Sequence, residues 1–218
     1  MALIALDMDG VVVDSKRAIL QSISFSLVSN GIPDMEPHLA NRVIGPPLQE
    51  MMSLIVGESH GPDVVASCVA SYRKHNDRYG PGLTQAFPGV DSVLSEICMD
   101  HDVVIATSKN RSSAVDLLDS LGLSRYFVAI DGSSSDSDPE SKSTILARLM
   151  VSNGPIAAMV GDRMQDIAAA KEHGIATIGA AWGYAMEGEL EAASPSMIIG
   201  APSQLPWAIS RTVGNRSH

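Results

Sequence analysis

The residues able to do chemistry in this chain are a few acids, hydroxyls and lysines that follow apolar stretches. Asp7 and Asp9 stand one residue apart, after the apolar run at residues 2–6 and before Gly10. Two carboxylates so placed repel one another and cost desolvation, so they mark either an exposed turn or a cation site. Thr107, Ser108, Lys109 and Asn110 follow a second apolar run. Lys142 ends the polar loop GSSSDSDPESK, and Gly161, Asp162 and Arg163 end another run, with Asp166 shortly after. Acids, a hydroxyl pair and a lysine suit phosphoryl transfer, in which the protein supplies chiefly positioning and charge neutralisation.

Those residues can act together only if the elements carrying them converge. Residues 2–6, 102–106, 126–131, 156–162, 176–180 and 196–200 are continuous apolar runs, as expected of strands covered on both faces. Between them lie helical patterns at 112–121, 143–151, 166–173 and 204–213, several closed by Gly122, Gly154 and Gly174. The alternation predicts an α/β fold with a doubly wound parallel sheet, in which ligands bind beyond the carboxyl ends of the strands. Residues 15–82 break it, with helical patterns at 16–29, 48–56 and 63–79 and no convincing strand. The expected organisation is therefore a core domain of residues 1–14 and 83–218 with a helical domain, 15–82, inserted after the first strand.

Composition bounds the partners. Fifteen basic against twenty-five acidic residues give a net charge of −10, which argues against nucleic acid or an anionic membrane as the main partner. A small phosphorylated metabolite needs only local positive charge. The two cysteines, Cys68 and Cys98, form no ligand motif, and no apolar run approaches membrane-spanning length. With no basic region leading into an apolar stretch at the start, the expected setting is the cytoplasm.

DMDG at 7–10, the Thr107–Ser108 pair, Lys142 and GDRMQD at 161–166 resemble, in order, the four motifs of the haloacid dehalogenase superfamily. IGPPL, ATSK, YFVAIDGS and VGDR are similar to its phosphoglycolate phosphatase-like branch. Val11 departs from the threonine usual there. The resemblance implies a Rossmann-like core with a helical cap domain, and a Mg²⁺-dependent phosphatase acting on a small phosphate monoester. It implies Asp7 as the nucleophile forming an aspartyl-phosphate and Asp9 as general acid and base. Mg²⁺ would be held by Asp7, the Asp9 carbonyl and Asp162, with Asp166 behind a bound water. Thr107, Ser108 and Lys142 would bind the phosphoryl group, and Arg42, in the cap, is a candidate for reading substrate. A phosphomutase of the β-phosphoglucomutase kind shares this core, and a receiver-like phospho-acceptor shares its acids, hydroxyl and lysine.

Plainer roles stand beside these. Asp166 precedes IAAAKEHG and has the character of a helix N-cap, as do Asp14 and Ser15. Thr107 and Ser108 are able to start the next helix, Arg163 has no assigned role, and Trp182 and Tyr184 suit packing. Lys16, Arg73 and Lys74 read mostly as solvated charges. Between Lys109 and Lys142, the second is the expected phosphate partner. A cation at a helix N-terminus is disfavoured by about 0.3–1 kcal/mol, a penalty that makes sense if the ammonium points into an anionic site.

Overall fold

The computed structural model describes residues 1–36, 43–46, 48–57, 60–134 and 140–214. Six strands form a parallel sheet: β1 (Leu3–Leu6), β4 (Asp102–Asn110), β5 (Ala129–Ser133), β6 (Ile156–Gly161), β7 (Ala176–Ala180) and β8 (Met197–Ile199). Their order is β5-β4-β1-β6-β7-β8. β1 lies inside the sheet, with Ile4 beside Val103 on one flank and beside Ala158 on the other. From β1 the chain builds outward through β4 and β5, then crosses back to begin β6 on the other flank. That reversal is the switch point at which doubly wound sheets bind ligands.

Period-two alternation sends successive side chains to opposite faces. Ile4, Leu6, Val103 and Ile105 pack with α4 (Val90–Ile97), α5 (Arg111–Ser120) and α9 (Leu205–Gly214), which contribute Leu94, Leu118 and Ile209. Leu3, Ala5, Val104 and Ala106 pack with α6 (Lys142–Asn153) and α7 (Met164–Glu172), which contribute Ile145, Leu146 and Ala170. Burial on both faces explains why the strands read as unbroken apolar runs.

The chain divides into two compact units, Met1–Asp14 with Ala86–His218, and Ser15–Gln85. The second unit is helical, with α1 (Lys16–Ser29), α2 (Leu48–Val56) and α3 (Pro62–Tyr79). Pro62 opens α3 at a position where its missing N–H is no loss. Ile23, Leu27, Met52, Cys68 and Val69 are buried, and the Ser26 hydroxyl donates to the Cys68 carbonyl at 2.6 Å, fixing α1 against α3. A two-stranded sheet of β2 (Val13–Asp14) and β3 (Gln85–Ala86) lies where the chain leaves the core and returns.

Several boundaries differ from the sequence reading. β4 runs through Asn110, so Thr107 and Ser108 belong to the strand, and the following helix is capped by Asn110, whose side chain accepts from the Ser112 and Ser113 amides. Tyr126 lies in a short 3₁₀ turn, and β5 starts only at Ala129. The helix α4 and the five-residue α8 (Glu189–Ala193) were not expected. Both follow a glycine in the left-handed conformation, Gly89 or Gly188, and five residues hold too little periodicity to stand out. Asp166 is not the N-cap of α7. Arg163 occupies that position, and the Asp166 carboxylate reaches back to accept the Arg163 N–H at 3.1 Å, as in a capping box.

Candidate active site

The site is assembled from the carboxyl ends of β1, β4 and β6. The Asp7 amide donates to the Val160 carbonyl at 2.9 Å, so the ladder between β1 and β6 extends one residue past the strand. A tight turn follows, in which the Met8 carbonyl accepts from the Val12 and Val13 amides. Gly10, at φ 90°, is required twice over. That backbone region suits glycine, and a Cβ there would run into the Asp162 carboxylate. Gly183 is constrained from the other side, because a Cβ would meet Asp162 and the Gly10 carbonyl. Asp162 is thus packed between two glycines.

Asp7, Asp162 and Asp166 are all buried, and each offers a carboxylate oxygen within 4.8 Å of the others. Lys142, 8% exposed, places its ammonium among them. It donates to Asp7 Oδ1 at 2.6 Å and to the Ala106 carbonyl at 2.9 Å, and pairs with Asp166 Oδ1 at 2.9 Å. Lys142 begins α6, whose N-cap Ser141 accepts from the Thr144 amide. The approach to α6 is tied down by Arg148, which pairs with Asp131 at 2.7 Å and Glu140 at 2.6 Å. Those bonds, with donors from Ser134, hold the Glu140 carboxyl down at about 2.

Thr107 is buried, and its hydroxyl oxygen accepts from the Lys109 amide at 3.2 Å. The register between β4 and β5 shifts between Ala106 and Asn110, the kind of irregularity that re-aims side chains at a strand end. Ser108 is half-buried on the same stretch. Lys109 Nζ lies 3.4 Å from Asp9 Oδ2. Arg42 lies outside the described residues.

One ammonium does not balance three buried carboxylates. Burial pushes the Asp7 carboxyl up to about 7; Lys142 opposes the shift, while Asp166 and Asp9 add to it. Burial, with Asp166 and Asp7, holds Asp162 well above the carboxylate range against the Tyr184 N–H and Arg163. Burial also opposes the charge on Lys142, yet Asp166 and Asp7 together hold its ammonium above the ordinary value. Asp162 Oδ2 accepts the Tyr184 amide at 2.7 Å, whereas Asp162 Oδ1 is buried with no hydrogen-bond partner among the described residues. An orphaned carboxylate oxygen in an all-oxygen, over-negative cluster fits a hard divalent cation.

Four features had no signal in the spacing of the motifs. They are Glu189, which bonds Arg163 Nε at 2.7 Å, the Tyr184 amide on Asp162, Gly183, and the contact of Lys109 with Asp9. Glu189 sits among exposed acids in the sequence, so only its burial distinguishes it.

The model of the haloacid dehalogenase-like hydrolases matches residues 4–180, which includes the ends of β1, β4 and β6 that carry the site. The chain belongs to that family. Within it the hydrolase falls on the phosphatase side, in the phosphoglycolate phosphatase-like branch. It is 31% identical to the protein named tyrosine-protein kinase PtkA of Mycobacterium tuberculosis, over 91% of this chain and 68% of that one. It is 30% identical to a 5'-nucleotidase of Pseudomonas aeruginosa, over 88% of each chain. A crystal structure described as a predicted phosphatase from Clostridium acetobutylicum superposes with a TM-score of 0.89 at 25% identity, covering 96% of this chain and 98% of that one. Among the described residues of the hydrolase, no helix is long and apolar enough to cross a membrane.

Proposed function

We propose that the hydrolase is a Mg²⁺-dependent phosphatase that removes the phosphoryl group of a small, phosphoglycolate-like monoester through an aspartyl-phosphate at Asp7. The observation that carries this reading is Lys142, which bonds Asp7 Oδ1 while Asp162, whose Oδ1 is orphaned, belongs to the same cluster. A carboxylate oxygen of Asp7 attacks phosphorus as the ester P–O bond breaks, and Asp9 gives its proton to the departing alkoxide. Asp9 then takes a proton from the water that attacks the aspartyl-phosphate, which frees inorganic phosphate and restores Asp7. Lys142 neutralises the charge on Asp7 and on the phosphoryl oxygens, to which Thr107 and Ser108 donate. Asp7, the Asp9 carbonyl and Asp162 would hold the ion, with Asp166 behind it. When bound, Mg²⁺ neutralises charge on the transferring group.

The helical insertion, Arg42 included, is assigned the reading of the leaving group. The two free cysteines support a cytoplasmic setting. The relatives' names differ in what they act on, so the test is a panel of phosphoglycolate, 5'-nucleotides, sugar phosphates, pyrophosphate and phosphotyrosine, assayed with Mg²⁺ and with excess chelator. Mg²⁺-dependent release of phosphate, fastest from a small monoester, is expected. Undiminished hydrolysis in chelator would overturn the metal role, and full activity of Asp7→Asn would overturn the covalent route.

A further inference from the structure

We propose that Glu189 and Arg163 are positioning residues that set the affinity of the acid pair Asp162 and Asp166 for a divalent cation, an inference that rests on the metal reading above. Glu189 lies on α8, outside the four motifs, and is 9% exposed. Its carboxylate gathers three donors. Oε1 accepts from Arg163 Nε at 2.7 Å and from the Met164 amide at 2.9 Å, and Oε2 accepts from the Met186 amide at 2.9 Å. The two residues it holds in the motif lie between Asp162 and Asp166. The Arg163 amide in turn donates to Asp166 Oδ2. The same connection between β7 and α8 delivers the Tyr184 amide to Asp162 Oδ2. Asp162 is thus oriented from the connection before α8, and Asp166 by an Arg163 whose side chain Glu189 holds.

Stability alone does not account for this pair. Arg163 is 6% exposed, and its Nη1 is buried with no hydrogen-bond partner among the described residues. An unmet buried donor is unfavourable, and buried ion pairs are often no better than apolar packing. What the pair does achieve is restraint. With its Nε bound to Glu189, the Arg163 guanidinium is kept from closing on Asp162, the neighbouring carboxylate whose Oδ1 is free. Without Glu189 the guanidinium would compete with a cation for that oxygen.

The test is calorimetric titration of the purified protein with Mg²⁺ alone, alongside thermal unfolding. Glu189→Ala should weaken Mg²⁺ binding about 10–100-fold, the usual effect of losing a partner that orients a metal ligand. Adding Arg163→Ala to Glu189→Ala should recover part of that affinity, because the competing guanidinium is gone. Leu190→Ala, beside Glu189 and buried, should lower the unfolding temperature and leave Mg²⁺ affinity unchanged. If Glu189→Ala does not fold, Glu189→Gln is read in the same way, with a smaller loss. Glu189→Ala binding Mg²⁺ as tightly as wild type would overturn the positioning role alone. So would Leu190→Ala weakening binding equally, or no recovery in the double variant. Absence of Mg²⁺ binding to wild type would overturn the metal reading and this inference with it.

Discussion

Lys142 and Lys109 each pair with an aspartate, but their surroundings are unequal. Lys142 has three acceptors around a buried ammonium, whereas Lys109 meets Asp9 at 3.4 Å. Lys142→Ala should cut kcat/KM by about 10²–10³, as loss of one preorganised charge-stabilising donor does, and should destabilise the fold by about 3–5 kcal/mol because buried carboxylates lose their cation. Lys109→Ala should do far less of both, and steady-state kinetics giving the reverse ranking would refute the assignment. Asp7 supplies a pH test. Its carboxyl titrates near 7 in the folded protein against an ordinary 3.8, so between those values the folded state binds more protons than the unfolded one. Asp7's contribution to the stability of the metal-free protein should then fall as pH rises from about 4 to about 7 and level off above. Asp7→Asn should remove activity and flatten that part of the unfolding profile measured in chelator. A profile unchanged by the substitution would show that Asp7 does not carry the shift.

Asp7, Asp9, Asp162 and Lys109 are legible in the sequence because each closely follows an apolar run, and the end of a run marks the end of a strand. Lys142, after a polar loop, is marked instead by its place at the start of a helical pattern. The contacts of the turn after β1 and of the loop before α8 are not legible in that way, since nothing in the sequence tells how near Gly10 and Gly183 come to Asp162. Gly10→Ala joins an unfavourable backbone to a clash with that carboxylate, and about 1–3 kcal/mol is typical of such strain. Lower activity and weaker Mg²⁺ binding should accompany the lost stability; wild-type values for both would mean that the turn yields freely. Asn110→Ala removes the cap of α5. It should cost about 1 kcal/mol, or a few degrees of unfolding temperature, with kinetics nearly intact. A kinetic loss like that of Lys142→Ala would give Asn110 a part in the chemistry.

At the scale of the molecule, the apolar clusters on the two faces of the sheet draw on Met1–Asp14 and Ala86–His218. The order of elements in the sequence leads to an expected insertion at residues 15–82, since strand signals stop after the first one and resume beyond the helices. Substrate choice was not visible, as reading a leaving group depends on a few side chains with no fixed spacing. Substitutions at Ile44 or Gly45, in the IGPPL stretch, should change the ratios of kcat/KM across the ester panel rather than scale every ester by one factor. Equal changes on every ester would count against a selective role for the insertion.

The place of β1 has a consequence for synthesis. Its four apolar residues leave the ribosome before both of their partners, β4 and β6, which end at Asn110 and Gly161. At about 5–20 residues per second, Leu3–Leu6 waits on the order of ten seconds for its second neighbour. Until then a nascent chain carries an apolar strand with at least one edge unpaired, which is what holdase chaperones bind. Ribosome-bound chains halted near residue 150 should retain such a chaperone, and chains extended well beyond Gly161 should release it.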